Sequence, residues 1–281
     1  MSHHHHHHDQ DPEVMADLLD LDGEVLSQYL ASVADWVRDL AGALQVRRIV
    51  DLGCGTGNGA IALAWRFPDA EAIGVDKSPE FLARLKEKAG ALGLGDRIQV
   101  VEADLDGSWP DVGPVDLTWT SLALHHLAEP GRALTALLAA TSPGGLLVVA
   151  EMSSQVQFLP DDLGVGEPGL EARVYAALSE RRAAELPYLG ADWGVQLSEA
   201  GFEIAAERTF EIDLTSPLPK SAGRYAQGFL RRLRSDLDDL ISREDLAALD
   251  VVLADDGPAS VLRRQDLHIR GTRTLWVGRR R

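Results

Sequence analysis

The sequence predicts a doubly wound α/β fold, and three observations carry that expectation. From Arg47 onward, short β-branched or Leu-rich runs alternate with helix-length segments, the pattern of a parallel sheet flanked by helices. The first of those runs ends in a glycine-rich turn that opens a helix, Val50-Asp51-Leu52-Gly53-Cys54-Gly55-Thr56-Gly57. A chain of 281 residues with 45% hydrophobic content is long enough to bury one large core with elaborations on it.

Taken in order, residues 14–45 read as amphipathic helix, with Leu18, Leu19, Val25, Leu26, Tyr29, Val33, Trp36 and Val37 on its apolar positions. Strands are expected near 47–52, 71–75, 98–102, 115–120 and 145–151, with helices near 57–67, 78–92 and 129–141 between them. Ser78-Pro79-Glu80 has the form of an N-cap followed by proline at the first helical position, and Ser142-Pro143-Gly144-Gly145 that of a stop before the fifth strand. Past Met152 the rhythm breaks into a Pro- and Gly-spaced stretch leading to a helix over 170–186. A short helix near 192–200 closes at Gly201, Phe202 to Asp213 alternates as a strand, and 221–255 reads as helical. Thr272 to Val277 forms the last strand.

Composition narrows the functional classes. His3 to His8 are an expression tag and are set aside, which leaves His125, His126 and His268. A formal net charge of −17 repels a phosphate backbone and argues against nucleic-acid partners, apart from the local basic clusters at Arg231-Arg232-Leu233-Arg234 and Arg279-Arg280-Arg281. The longest apolar run, Gly144 to Ala150, is far too short for a membrane span. The single Cys54 cannot form an internal disulfide, which fits a reducing cytoplasm.

The glycine turn has the spacing G-x-G-x-G rather than the dinucleotide G-x-G-x-x-G. Glycine there permits a tight turn and removes a Cβ that would meet a nucleotide-like ligand. The second strand ends Gly74-Val75-Asp76-Lys77, with a carboxylate positioned to accept from a ribose diol. The third ends Val101-Glu102-Ala103-Asp104-Leu105, with a carboxylate that could accept from an adenine amino group. A lone aspartate in either place would be an ordinary turn residue. Three such features at three successive strand ends are not.

Through these segments, together with Val115-Asp116-Leu117 and the Pro143-Gly144-Gly145 turn, the chain resembles the class I S-adenosylmethionine-dependent methyltransferases over about residues 45–280. The resemblance implies a Rossmann-like, seven-stranded sheet whose last strand, 272–278, runs antiparallel between its neighbours. It implies that Asp51, Gly53, Cys54, Gly55 and Gly57 approach the methionine part of S-adenosyl-L-methionine, Asp76 with Lys77 the ribose, and Ala103, Asp104 and Leu105 the adenine. Ser121 and Leu122 would lie by the sulfonium, and S-adenosyl-L-homocysteine would be the product.

Methyl transfer from a sulfonium is an in-line displacement, so the protein must align the acceptor and, for a hydroxyl, remove its proton. Ser121-Leu122-Ala123-Leu124-His125-His126-Leu127 follows the fourth strand, and Glu151 ends the fifth. One histidine could serve as general base, with Glu151 orienting it or taking the proton itself; both histidines could equally pack the loop. The segment resembles the arrangement in small-molecule O-methyltransferases of secondary metabolism. Adjacent histidines are expected to point apart, and no metal site is expected. Tyr29, Trp193 and Tyr225 are candidate acceptor-pocket aromatics.

The expected organisation is a tag and leader over 1–13, a helical segment over 14–45 that covers the sheet or closes over the ligands, and a cofactor-binding core over 46–151. The core continues at 193–213 and 269–281, and two helical inserts, 152–192 and 214–268, form an acceptor-selecting cap. The expected reaction is transfer to a hydroxyl of a small metabolite, with no nucleic-acid or membrane partner and the oligomeric state left open, a homodimer included. Carboxyl- or N-methylation of a small acid or peptide is an alternative, as is a non-catalytic cofactor-binding regulator.

Overall fold

A computed structural model describes residues 11–107 and 109–281; the tag lies outside them. The segment expected as one helix over 14–45 forms two, α1 (Pro12–Val25) and α2 (Ser27–Ala41). Then follow β1 (Arg48–Leu52), α3 (Asn58–Arg66), β2 (Glu71–Asp76), α4 (Pro79–Ala91), β3 (Ile98–Glu102), β4 (Val115–Ser121), α5 (Pro130–Ala140) and β5 (Thr141–Met152). The remainder is α6 (Leu170–Glu185), α7 (Trp193–Glu199), β6 (Glu203–Leu214), α8 (Ala222–Arg234), α9 (Arg243–Leu253) and β7 (Ile269–Arg279).

The seven strands lie in the order β3-β2-β1-β4-β5-β7-β6. β1 pairs in parallel with β2 and β4, and β7 runs antiparallel between β5 and β6, as the resemblance implied. The chain leaves β1 toward β2 on one side, whereas β4 and β5 build outward on the other. The crevice between the carboxyl ends of β1 and β4 is therefore the switch point, where such sheets bind ligands.

Local chemistry fixes the elements around that crevice. Gly57 enters α3 in the left-handed region without a side-chain cap, and the free Ala60 N–H is instead taken by Asp51 Oδ2 at 2.7 Å. Ser78 Oγ accepts from Phe81 N at 3.2 Å ahead of Pro79, the expected cap of α4. The Ser142-Pro143-Gly144-Gly145 segment does not stop the chain ahead of β5. It lies inside the strand, which bulges against Val115–Leu117, so β5 is longer at its start than expected.

The core has three parts. One face of the sheet packs on α2, α3 and α4 through residues such as Val33, Leu63 and Leu85, the other on α5 and α7 through Leu134, Leu137 and Leu197. A third cluster joins α1, α6, α8 and α9 with Phe158 and Leu159, and gives the inserts a core of their own. The stretch 221–255 is two helices, because the chain turns after Arg234 and restarts at α9, whose Ser242 cap accepts from Asp245 N at 3.0 Å. No described helix is long and apolar enough to cross a membrane.

Candidate active site

The glycine turn is held by the aspartate that follows it on the next strand. Asp76 Oδ2 accepts from Gly55 N at 2.9 Å and Oδ1 from Ser78 N at 3.0 Å, so one carboxylate ties the turn to the start of α4. Gly53, Gly55 and Gly57 have φ of +61°, +51° and +83°, where a side chain is strained. A Cβ on Gly53 would stand 2.5 Å from Ala123 Cβ, one on Gly55 3.0 Å from Leu19 Cδ1, and one on Gly57 2.0 Å from Leu85 Cδ1. The glycines are thus needed for contacts within the protein, an additional reason to the ligand approach that spacing suggested.

Asp51 is buried, and burial, with the charge of Asp76 adding to it, pushes its carboxyl up to about 8 against the opposing Ala60 N–H bond. Cys54 is buried beside it and burial raises its thiol far above the ordinary range, which leaves it unreactive. Ala103 N donates to Asp76 O at 3.0 Å, bringing the ends of β2 and β3 together. Asp104 is exposed there and spends Oδ1 on Asp106 N at 3.0 Å. Leu105 packs at the margin of the α5 face, while Lys77 is exposed.

α1 lies across this turn. Leu19 touches Gly55, and Asn58 Nδ2 donates to Leu19 O at 2.8 Å. Lys88 Nζ reaches Asp20 Oδ1 at 2.6 Å and Asn58 Oδ1 at 2.7 Å. α1 therefore packs over the glycine turn, while α2 of the same N-terminal segment covers one face of the sheet.

Past β4, Leu122 has φ of +55°, unusual for a branched side chain, and its N–H donates to Ala150 O at 2.9 Å. That reversal sets Ala123 against Gly53 and starts a 3₁₀ turn over Leu124–His126. Within the turn His125 is buried, with Nδ1 2.6 Å from Oε2 of buried Glu151 at the end of β5. Oε1 of Glu151 has no protein partner. The imidazoles do not point apart as expected. The short 3₁₀ turn leaves their centroids 4.2 Å apart at 39°. His126 itself is exposed, and partial loss of hydration, then the charges of His125, Arg232 and Lys77, lower it to about 4.

Of the three expected aromatics, Trp193 is fully buried between α7 and the sheet and presents no surface to a ligand. Tyr225 is also buried, its hydroxyl donating to Asp22 at 2.7 Å, while Tyr29 stacks edge-on with Phe210. The sequence reading missed Arg273, a buried arginine on β7 beside Tyr29 and Asp22. An arginine inside an alternating apolar strand was the available signal. Among the described residues, no group of three or more His, Cys, Asp or Glu is gathered to hold a metal.

A methyltransferase-domain family profile matches residues 49–145. A demethylmenaquinone methyltransferase of Thermus thermophilus is 36% identical over 173 residues, which span 59% of this chain and 71% of that protein. The chain belongs to the class I S-adenosylmethionine-dependent methyltransferases. A trans-aconitate 2-methyltransferase of Methylobacterium nodulans is 28% identical over 75% of this methyltransferase and 79% of its own length. The fold matches the YcgJ protein of Bacillus subtilis, with a TM-score of 0.53 at 16% identity over 88% of this chain and 97% of that one. It also matches a geranyl diphosphate methyltransferase solved with SAM, at 0.50 and 14% identity over 89% and 85%. The methyltransferase uses S-adenosylmethionine as methyl donor, and the left-handed glycine turn beside Asp76 and Asp104 suits a ligand with a diol and an amino-purine.

Proposed function

We infer that the enzyme methylates a hydroxyl of a small molecule, with His125 as general base and Glu151 holding it in place. The observation that carries this is the buried 2.6 Å contact between His125 Nδ1 and Glu151 Oε2, between the ends of β4 and β5. A carboxylate on Nδ1 fixes the tautomer that leaves Nε2 as the acceptor, and stabilises the imidazolium once the proton arrives. His126, held near 4, is neutral at physiological pH and takes a supporting place. Bound S-adenosylmethionine supplies the activated methyl group. Backbone of Gly53, Cys54, Gly55 and Gly57 would hold its methionine part beside Asp51, Asp76 and Lys77 its ribose, and Ala103, Asp104 and Leu105 its adenine, with Ser121 and Leu122 by the sulfonium. The inserts at 152–192 and 214–268 would select the acceptor, with Tyr29 on its path.

The trans-aconitate 2-methyltransferase relative favours a second reading, transfer to a carboxylate. An ionised carboxylate has no proton to lose, so the readings separate on the base. With a small-molecule acceptor found by labelled-methyl transfer, His125→Asn and Glu151→Gln should each lower turnover about 10²–10⁴-fold with cofactor affinity kept. His126→Asn should cost far less. Wild-type rates in both variants would overturn the hydroxyl reading in favour of the carboxylate one.

A further inference from the structure

Two arginines of the inserts gather near the histidine pair without a carboxylate of their own. On α8, Arg231 and Arg234 hold Asp255 and Asp250 at 2.7 Å, whereas exposed Arg232 between them has no ion pair among the described residues. On α6, Arg182 Nη1 donates to Gln155 Oε1 at 2.9 Å, and no carboxylate among the described residues lies within ion-pair distance of it. Partial loss of hydration, then the charge of Arg182, lowers the Arg232 guanidinium against the pull of Asp236. Loss of hydration lowers Arg182 as well, opposed by Tyr175, Asp236 and Glu185. Two like charges held together and partly dehydrated cost free energy that an anion between them would return.

Packing carries both arginines to the rim of the cleft. α8 runs along α1, with Tyr225 donating to Asp22 at 2.7 Å and a Cβ on Gly228 standing 3.2 Å from Leu18 Cδ1. Leu18 precedes Leu19, the residue that touches Gly55. Arg232 follows Gly228 by one turn on the same helix face, a rise of about 6 Å. Arg182 comes from the β5 side, since its partner Gln155 lies four residues past Glu151. Arg181 Nη1 donates to Asp236 O at 2.9 Å and ties the end of α6 to the chain leaving α8. His126, with its ring 4.2 Å from that of His125, lies in the field of Arg232 and of Lys77 at the end of β2. Arg232 and His126 are both exposed, so a ligand in the cleft can reach them. In a chain of net charge −17, this local excess of cations concentrates anions at the cleft.

We propose that Arg182 and Arg232 bind an anionic oxygen group, carboxylate or phosphoryl, of the acceptor whose hydroxyl is methylated beside His125. The planar guanidinium matches either group with paired N–H bonds. The inference rests on methyl transfer at the His125–Glu151 pair and narrows the acceptor class to anionic molecules. No bond to either arginine is made or broken in the reaction.

The test uses the whole enzyme with labelled S-adenosylmethionine and a metabolite extract split on an anion-exchange resin, part of the retained fraction being pretreated with phosphatase. Label should enter the retained, anionic fraction; its loss after phosphatase marks a phosphoryl group, its survival a carboxylate. With the acceptor purified from that fraction, Arg232→Met should raise KM about 50-fold, the scale of a lost charge-assisted hydrogen bond, with kcat and S-adenosylhomocysteine affinity kept. Arg182→Met should raise KM severalfold, and both variants should melt as the parent does. Independently of turnover, inorganic sulfate added to the S-adenosylhomocysteine complex should raise the titration midpoint of His126 followed by NMR, because a nearby anion favours the imidazolium. Arg232→Met should raise that midpoint by itself and abolish the sulfate effect. Label confined to the unretained fraction, an unchanged KM in Arg232→Met, or a His126 midpoint indifferent to sulfate overturns the proposal. Equal loss of S-adenosylhomocysteine affinity assigns the arginines to the cofactor's own carboxylate and overturns it too. Loss of transfer in His125→Asn with label only in the unretained fraction leaves the base standing without the arginine site. Anionic products made at full rate by His125→Asn leave the arginine site standing without the base.

Discussion

Asp51 ends β1 inside the core, and its carboxyl is held up at about 8 by burial first and by Asp76 second. Its folded value lies above the unfolded one, so its stabilising contribution is complete below about pH 4 and is lost as pH rises toward 8. Asn accepts equally well from Ala60 N and has no proton to lose. Asp51→Asn should therefore lose at least about 1 kcal/mol less stability than the parent between pH 5 and 8, since one pKa unit corresponds to about 1.4 kcal/mol. Parallel melting profiles across that range would refute the protonated Asp51. Asp76 differs because both its oxygens already accept backbone N–H groups, from Gly55 and Ser78. Asp76→Ala should weaken S-adenosylhomocysteine binding by about 1.5–3 kcal/mol in calorimetry, the range of a charge-assisted hydrogen bond plus a loosened turn. Unchanged affinity would remove Asp76 from the cofactor site. These residues were legible in the sequence because strand end, glycine spacing and carboxylate all fall within a few positions. The direction of the two histidines was not, since it depends on the left-handed Leu122, a conformation no branched residue announces.

At the level of elements, α1 and α2 show what periodicity leaves out. Their apolar positions run on past Gly23, and the break is a modest rotation at Leu26, three residues later, with no side-chain cap. The cause is tertiary: α1 packs into the cluster of the inserts, α2 onto the sheet. The break before α9 was missed in reading 221–255 as one helical stretch, although Ser242-Arg243-Glu244-Asp245 carries the Ser cap and the acidic first turn of a new helix. The closure of α1 rests on Lys88, which binds Asp20 from α1 and Asn58 from α3. Partly exposed ion pairs contribute little to global stability, so Lys88→Met should leave the melting temperature nearly unchanged. It should nonetheless free α1 locally. Amide exchange over 12–25 should quicken about fivefold, as expected for a loss near 1 kcal/mol in a local opening. Exchange that stays at parental rates would mean that apolar packing alone closes the helix.

Over the whole molecule, the charge of −17 opposes the nucleic-acid backbone, but net charge alone does not dispose of the basic clusters. The structure gives most of those arginines internal partners. Arg279 donates to Gly144 O and Leu40 O, and Arg280 to Ala139 O and Thr141 O, so the tail closes the carbonyl ends of α2 and α5. Arg281 pairs with Glu203, Arg231 with Asp255, and Arg234 with Asp238 and Asp250. Arg232 differs: it lies within electrostatic reach of Arg182 and of His126 in the cleft. Within those two clusters, every arginine but Arg232 has a carboxylate or carbonyl partner among the described residues. Non-specific affinity comes from cations that release counterions, and typical non-specific Kd values already lie at about 10⁻⁴–10⁻⁶ M at physiological salt. At micromolar protein and about 150 mM salt, neither duplex DNA nor structured RNA should shift in a mobility assay, and lowering the salt should add only weak, sequence-independent binding. Specific binding is typically about 10³–10⁷ tighter than non-specific binding. A shift that persists at 150 mM salt and depends on sequence would therefore overturn the small-molecule reading of the acceptor.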